Sequence, residues 1–163
     1  MRYHVFKRHG HGIMIKFIGE YKVKLDDKGR LVFPSPFKNL VSGQKPCLFV
    51  VKKDIFAECL EMYAYEEWER QSEKVRSMLN PFNREHAEFW RAYTRNRAVV
   101  EPDPKLGRIT IPKKLLETIG VDKEVVFSGN DDKIEIWAAE KYESSNISEE
   151  RFVSLAGKIS GQI

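Results

Sequence analysis

Two arginines in this 163-residue chain are presented in the same way. Arg30 lies in Gly29-Arg30-Leu31-Val32-Phe33-Pro34, and Arg108 lies in Gly107-Arg108-Ile109-Thr110-Ile111-Pro112, 78 residues further on. Each phrase reads as a tight turn whose glycine tolerates positive φ, an arginine opening a short strand, and a proline ending it. Asp26 stands four residues before Arg30. Its carboxylate can accept turn N–H groups and pair with the guanidinium, which holds a flexible side chain in one direction. A guanidinium aimed in this way can grip a phosphate or read guanine O6 and N7 bidentately. Lys28 in the turn, with Lys22 and Lys24 on the strand before it, can contact neighbouring phosphates.

The second copy offers Lys105 and Arg108, but its spacing differs. Asp103 is five residues before Arg108, and Pro104 takes the position counted as that of Asp26. Proline brings neither a carboxylate nor an N–H, so Arg30 is expected to be the better oriented and more important arginine. A single such arginine would most often staple only its own turn. Two of them, in a repeated frame, suit a polyanion better than one catalytic pocket.

The repeat extends beyond the arginines. Leu60-Glu61-Met62-Tyr63-Ala64 matches Ile134-Glu135-Ile136-Trp137-Ala138 at an offset of 74, and Glu66 and Trp68 match Glu140 and Tyr142. One half of the molecule therefore reads as a copy of the other. Alternation predicts strands over residues 21–25, 30–33, 48–51, 57–63, 98–101, 108–111, 124–128 and 133–137, with Lys52-Lys53-Asp54 as a loop and residues 129–132 as a hairpin turn. Short helices are expected over 37–40 and 112–119. Between the halves, one helix is expected over 66–79, and a second is capped by Asn83 and carries Arg91, Arg95 and Arg97 late. A last helix over 148–159 puts Phe152, Leu155 and Ile159 on one stripe, suited to docking on a neighbour or another subunit.

Charge is unevenly spread. Residues 1–53 carry twelve Lys/Arg against three acids, a net +9, while the remaining sixteen and twenty-one give −5. That asymmetry fits a polyanion-binding face with a soluble back. The longest apolar run, Cys47 to Val51, is far too short to span a bilayer. Cys47 and Cys59 match no metal or redox spacing and read as small apolar residues of a reducing compartment. Residues 1–12, with His4, His9 and His11 among Arg2, Lys7 and Arg8, read as a flexible basic arm. No nucleophile elbow, HExxH, phosphate loop or dinucleotide glycine pattern occurs, and His86 stands alone on its helix. The expectation is a protein without catalysis, cofactor, metal or small-molecule substrate.

At Leu25-Asp26-Asp27-Lys28-Gly29-Arg30 with Pro34, Glu66-Glu67-Trp68, Gly107-Arg108-Ile109 to Pro112 and Ile134-Glu135-Ile136-Trp137, the sequence resembles the MraZ family of bacterial transcriptional regulators. The resemblance runs from about Phe17 to Tyr142. It implies an α+β fold, an internally duplicated AbrB-like swapped-hairpin β-barrel with linking helices. It divides the chain into a basic arm (1–16), a first half with a linking helix (17–80), a linking helix with the second half (81–143) and a C-terminal helix (144–163). It also implies a cytoplasmic, nucleoid-associated homo-oligomeric ring that binds direct repeats in double-stranded promoter DNA. The contacts would come from Arg30, Lys28, Lys22, Lys24, Arg108 and Lys105, on turns shaped by Asp26, Gly29 and Gly107. The rival expectation is a ring-forming assembly protein whose arginine turns act between subunits.

Overall fold

Alternating apolar and charged residues make Glu20–Lys24 (β3) a strand with Lys22 and Lys24 facing outward. The computed structural model describes residues 6–7, 13–41, 43 and 46–161. Most of the expected basic arm, including His4, His9 and His11, lies outside them, and Phe6–Lys7 (β1) pairs with Ile13–Met14 (β2). After β3 come Arg30–Val32 (β4), Ser35–Val41 (α1), Phe49–Lys53 (β5) and Leu60–Ala64 (β6). The linking helices are Tyr65–Ser77 (α2) and Arg84–Tyr93 (α3). The second half supplies Ala98–Val100 (β7), Arg108–Thr110 (β8), Lys113–Thr118 (α4), Glu124–Asn130 (β9) and Lys133–Ala138 (β10). Ala139–Tyr142 (α5), a 3-10 turn over Glu143–Ser145 and Glu149–Ser160 (α6) complete the order.

Six strands form one antiparallel sheet in the order β3-β9-β10-β6-β5-β7, and β4 pairs with β8. Exchanging β3 with β7, β5 with β9 and β6 with β10 leaves that order unchanged when read backwards. The halves are thus related by a pseudo-two-fold that passes through the pairs Glu61–Glu135 and Leu31–Ile109. Each half lays its first strand on the other half's hairpin, Tyr21 opposite Phe127 and Val99 opposite Val50. The fold is α+β and antiparallel. The expected closed barrel is not seen among the described residues, because β4 and β8 form a pair separate from the six-stranded sheet. Pro34 and Pro112 lack the N–H that would carry their strands further.

The core lies between that pair and the sheet. Leu31, Phe33, Ile109 and Ile111 are buried there with Phe49, Val51 and Phe127. The Phe33 ring stands 5.1 Å from Phe49 and 6.0 Å from Phe127. Burying each such side chain stabilises the fold by about 1.5–3 kcal/mol. The opposite face of the sheet is covered by α2 and α3. Trp68 packs 5.8 Å from Tyr63, and Tyr93 stacks on Trp68, Phe89 and Trp90.

Several boundaries differ from expectation for local reasons. Lys52, read as a loop residue, is buried in β5. Its ammonium lies 3.7 Å from Glu61, donates to the Lys53 carbonyl and sits 4.6 Å from the Tyr93 ring centroid. Residues 57–59 are not strand, since Asp54 Oδ1 accepts the N–H groups of Phe56 and Ala57 and holds a turn there. Helix α1 begins at Ser35, before the expected 37, because Pro36 sits in its first turn, where its missing N–H costs nothing. Helix α3 stops at Tyr93, short of Arg95 and Arg97, and Asn96 then turns at φ 57°. The Asn83 cap is present, accepting from Glu85 and His86.

Candidate nucleic-acid interface

The first turn is organised around one carboxylate. Asp26 Oδ1 accepts the N–H of Lys28 at 2.9 Å and of Arg30 at 2.8 Å, and Oδ2 accepts Arg30 Nε–H at 2.8 Å. The backbone closes the same loop, Asp26 N–H to Arg30 O at 2.9 Å and Gly29 N–H to Asp26 O at 3.0 Å. Gly29 adopts φ 75°, a left-handed conformation that costs a glycine little. These hydrogen bonds, the Arg30 backbone N–H first, hold the Asp26 carboxyl below its ordinary pKa.

The second turn is built in the same way, which corrects the expectation for Arg108. Asp103 Oδ2 accepts both the N–H and the Nε–H of Arg108, at 2.8 and 2.9 Å. Its Oδ1 accepts from Lys105 at 3.0 Å and Leu106 at 2.9 Å. Asp103 N–H donates to Arg108 O at 2.9 Å, and Gly107 turns at φ 66°. Asp103 is therefore the counterpart of Asp26, Pro104 stands where the first turn has Asp27, and Leu106 is the extra residue. Hydrogen bonds, led by that from the Leu106 N–H, hold the Asp103 carboxyl well below the usual carboxylate range.

Both arginines spend Nε on their aspartate. The outer edge of each guanidinium, Nη1 and Nη2, is left as a two-pronged donor, and the side chains remain 30% (Arg30) and 23% (Arg108) accessible. The turns meet because β4 and β8 pair: Arg30 lies opposite Thr110, Leu31 opposite Ile109 and Val32 opposite Arg108. Directly opposed residues share a face. Leu31 and Ile109 fill the core, so Arg30, Val32, Arg108 and Thr110 all lie on the outer face.

The flanks are unequal. Lys22, Lys24, Lys28 and Lys105 are exposed. The pairing registers make Val99 and Glu101 the second-half counterparts of Lys22 and Lys24. Lys38, on α1, was not singled out in the sequence; its Nζ lies 2.9 Å from where a Cβ on Gly107 would be, so it adds a cation beside the second turn. No local motif marks it, because the contact joins residues from different halves. The role of Asp103 was legible in principle, had the gap been placed inside the turn instead of before it.

Other polar clusters are internally satisfied. His86 Nδ1 accepts the Asn80 N–H at 2.8 Å, a structural bond between α3 and the loop that joins it to α2. Asp54, Cys59 and Glu135 bring their ligand atoms within 4.8 Å of one another. Glu135, however, accepts from Trp137 Nε1 and Asn130, and burial followed by nearby carboxylates pushes the Cys59 thiol up, away from the thiolate a metal requires.

The sequence model described as MraZ protein matches residues 16–91 and 95–154. The break between these segments falls where α3 ends and β7 approaches. A Bacteroides thetaiotaomicron protein named transcriptional regulator MraZ is 36% identical over 139 residues, covering 85% of this chain and 88% of its own. One of the same name from Christiangramia forsetii is 38% identical over 149 residues, 91% and 95% of the two chains. A third, from Lachnoclostridium phytofermentans, is 38% identical over 130 residues, 80% and 86%. All three bear the name of a regulator and none that of an enzyme.

Proposed function

Because this chain belongs to the MraZ family, we propose that it is a transcriptional regulator that grips double-stranded DNA with the outer face of the β4–β8 ribbon. The observation that carries this reading is the pair of aspartate-tethered guanidiniums on one ribbon face, each held at Nε and partly accessible. A two-stranded antiparallel ribbon fits the major groove of B-DNA, about 12 Å wide, and a pre-aimed arginine is the commonest reader of guanine there. Lys28 and Lys105 in the turns and Lys38 beside the second one suit the flanking phosphates, and Lys22 and Lys24, on the outward face of β3, are the candidates for phosphates further out.

The finer reading follows the family resemblance. The exchanged strands and the β4–β8 pair suit an AbrB-like swapped-hairpin arrangement, and the protein works in the cytoplasm at the nucleoid as a homo-oligomeric ring on promoter direct repeats of a division and cell-wall gene cluster. Among the described residues no helix is long and apolar enough to cross a membrane. The test is titration of the protein with DNA from upstream of its own gene, at moderate salt, against a shuffled duplex. Preference for the upstream DNA is expected. Equal, weak binding to both duplexes would overturn the reading and favour the assembly protein.

A further inference from the structure

The two arginines of the ribbon keep different company. Two residues before Arg30 stands Lys28, and directly across from Arg30 stands Thr110, both exposed. Two residues before Arg108 stands Leu106, and directly across from Arg108 stands Val32. Leu106 is 62% exposed and Val32 53%. The difference at the turns arises because the second is one residue longer, which moves Lys105 one place back.

Leu106 is held beside its arginine. The carboxylate that tethers Arg108 also accepts the Leu106 N–H, at 2.9 Å on Oδ1, while Oδ2 takes both donors of Arg108. The Phe33 N–H donates to Gly107 O at 2.9 Å, so the ribbon stays paired up to the one residue that separates Leu106 from Arg108. A single exposed aliphatic side chain is ordinary on any surface. Leu106 and Val32 instead flank one guanidinium, where its pseudo-symmetric twin is flanked by an ammonium and a hydroxyl.

The two settings suit different parts of a duplex. A base pair shows one apolar group in the major groove, the C5 methyl of thymine, and small aliphatic surfaces are its natural contacts. A lysine suits a phosphate, and a threonine hydroxyl can donate to or accept from either purine or pyrimidine edges.

We infer that Leu106 and Val32 determine specificity beside Arg108, by receiving the methyl of a thymine next to the guanine that Arg108 reads. The Arg30 side, with Lys28 and Thr110, makes no such demand. The methyl contact thereby gives a pseudo-symmetric ribbon one preferred direction on its site, since the reversed ribbon would set Lys28 against the methyl. The inference rests on the DNA reading above.

The test is competition titration of the full chain with duplexes from upstream of its own gene, in which thymines are replaced one at a time by deoxyuridine. That change removes the methyl and leaves the pairing edges intact. Native protein should lose about four-fold in affinity for each methyl it contacts. The sensitive thymine should adjoin the guanine whose discrimination Arg108→Ala removes. Leu106→Lys with Val32→Thr gives the Arg108 side the side chains of the Arg30 side, and should abolish the deoxyuridine effect while keeping the preference for guanine. Lys28→Leu with Thr110→Val should create a second sensitive thymine beside the guanine of Arg30. Circular dichroism checks that each variant is folded. Native affinity for every deoxyuridine duplex, or the same losses in the Leu106→Lys, Val32→Thr protein as in the native one, would overturn the proposal and leave the DNA reading standing. Equal binding of the native protein to upstream and shuffled DNA would overturn both.

Discussion

Arg30 and Arg108 stand one diagonal step apart on the same face of a two-stranded ribbon, Arg30 across from Thr110 and Arg108 across from Val32. Diagonal neighbours of this kind are about 7–8 Å apart. Two guanidinium forks rooted at that separation, about two base-pair steps, can enter one groove together, with the exposed Val32 available to a thymine methyl.

The two arginines should therefore matter about equally. Arg30→Ala and Arg108→Ala should each cost about ten- to a hundred-fold in specific affinity, the value of one good bidentate base contact. Neither should unfold the protein, since both side chains lie outside the core. Parallel titrations against one operator decide the matter, with mass measured for each variant. Native affinity in either variant would remove that arginine from the interface.

The turns should be indifferent to pH across the physiological range. Both carboxyls are held below their ordinary pKa by hydrogen bonds to the charged form. Their contribution is thus fully present above about pH 4, the unfolded value, and is lost only as pH falls through the lowered folded values. Arginine Nε–H resonances should report tethered side chains from pH 8 to pH 5 and release in stronger acid. Asp103→Ala should release Arg108 at every pH. Deleting Leu106, which gives the second turn the length and bonding pattern of the first, should leave Arg108 tethered.

Salt dependence should follow the unequal flanks. Lys22→Ala or Lys24→Ala should weaken binding to all duplexes alike and flatten the log–log salt slope by about one unit. Glu101→Lys places a cation at the counterpart of Lys24 and should steepen it. Unchanged slopes in all three variants would locate the phosphate contacts elsewhere.

Gly129 should be the most sensitive glycine. A Cβ there would stand 2.5 Å from the carbonyl carbon and oxygen of Phe17, both backbone atoms. The contact cannot be relieved without parting the bonds Gly129 N–H to Gly19 O and Phe17 N–H to Asp131 O, at 2.8 and 2.7 Å. Gly129→Ala should destabilise the fold by about 1–3 kcal/mol, seen as a lower urea midpoint at constant slope.

Much of this architecture was legible in the residues. Alternation placed Leu31 inside and Arg30 and Val32 outside, the Asn83 cap marked the start of α3, and the repeated phrases identified β4 and β8 as equivalents. What stayed hidden was set by long-range partners. Lys52 looks like a loop cation until Glu61 and Tyr93 close over it. Spacing from the arginine sets Pro104 opposite Asp26. Equivalence in a turn is instead defined by which N–H groups one carboxylate holds, and Asp103 holds those of Lys105 and Arg108 as Asp26 holds those of Lys28 and Arg30. Nothing local announces that β3 pairs with β9 rather than with its own half's hairpin, or that the arginine turns become neighbours.

That exchange of strands bears on how the chain is made. Tyr21 pairs with Phe127, so the edge of the first half stays open until the second half has left the ribosome. At about 5–20 residues per second, the wait for those hundred-odd residues lasts on the order of 5–20 seconds. During it the β5–β6 hairpin has unpaired backbone and an apolar inner face, the usual template for association with the wrong chain. Neither half can complete its fold during synthesis, and a nascent chain stalled between them would be a substrate for chaperones or for domain swapping with a sister chain.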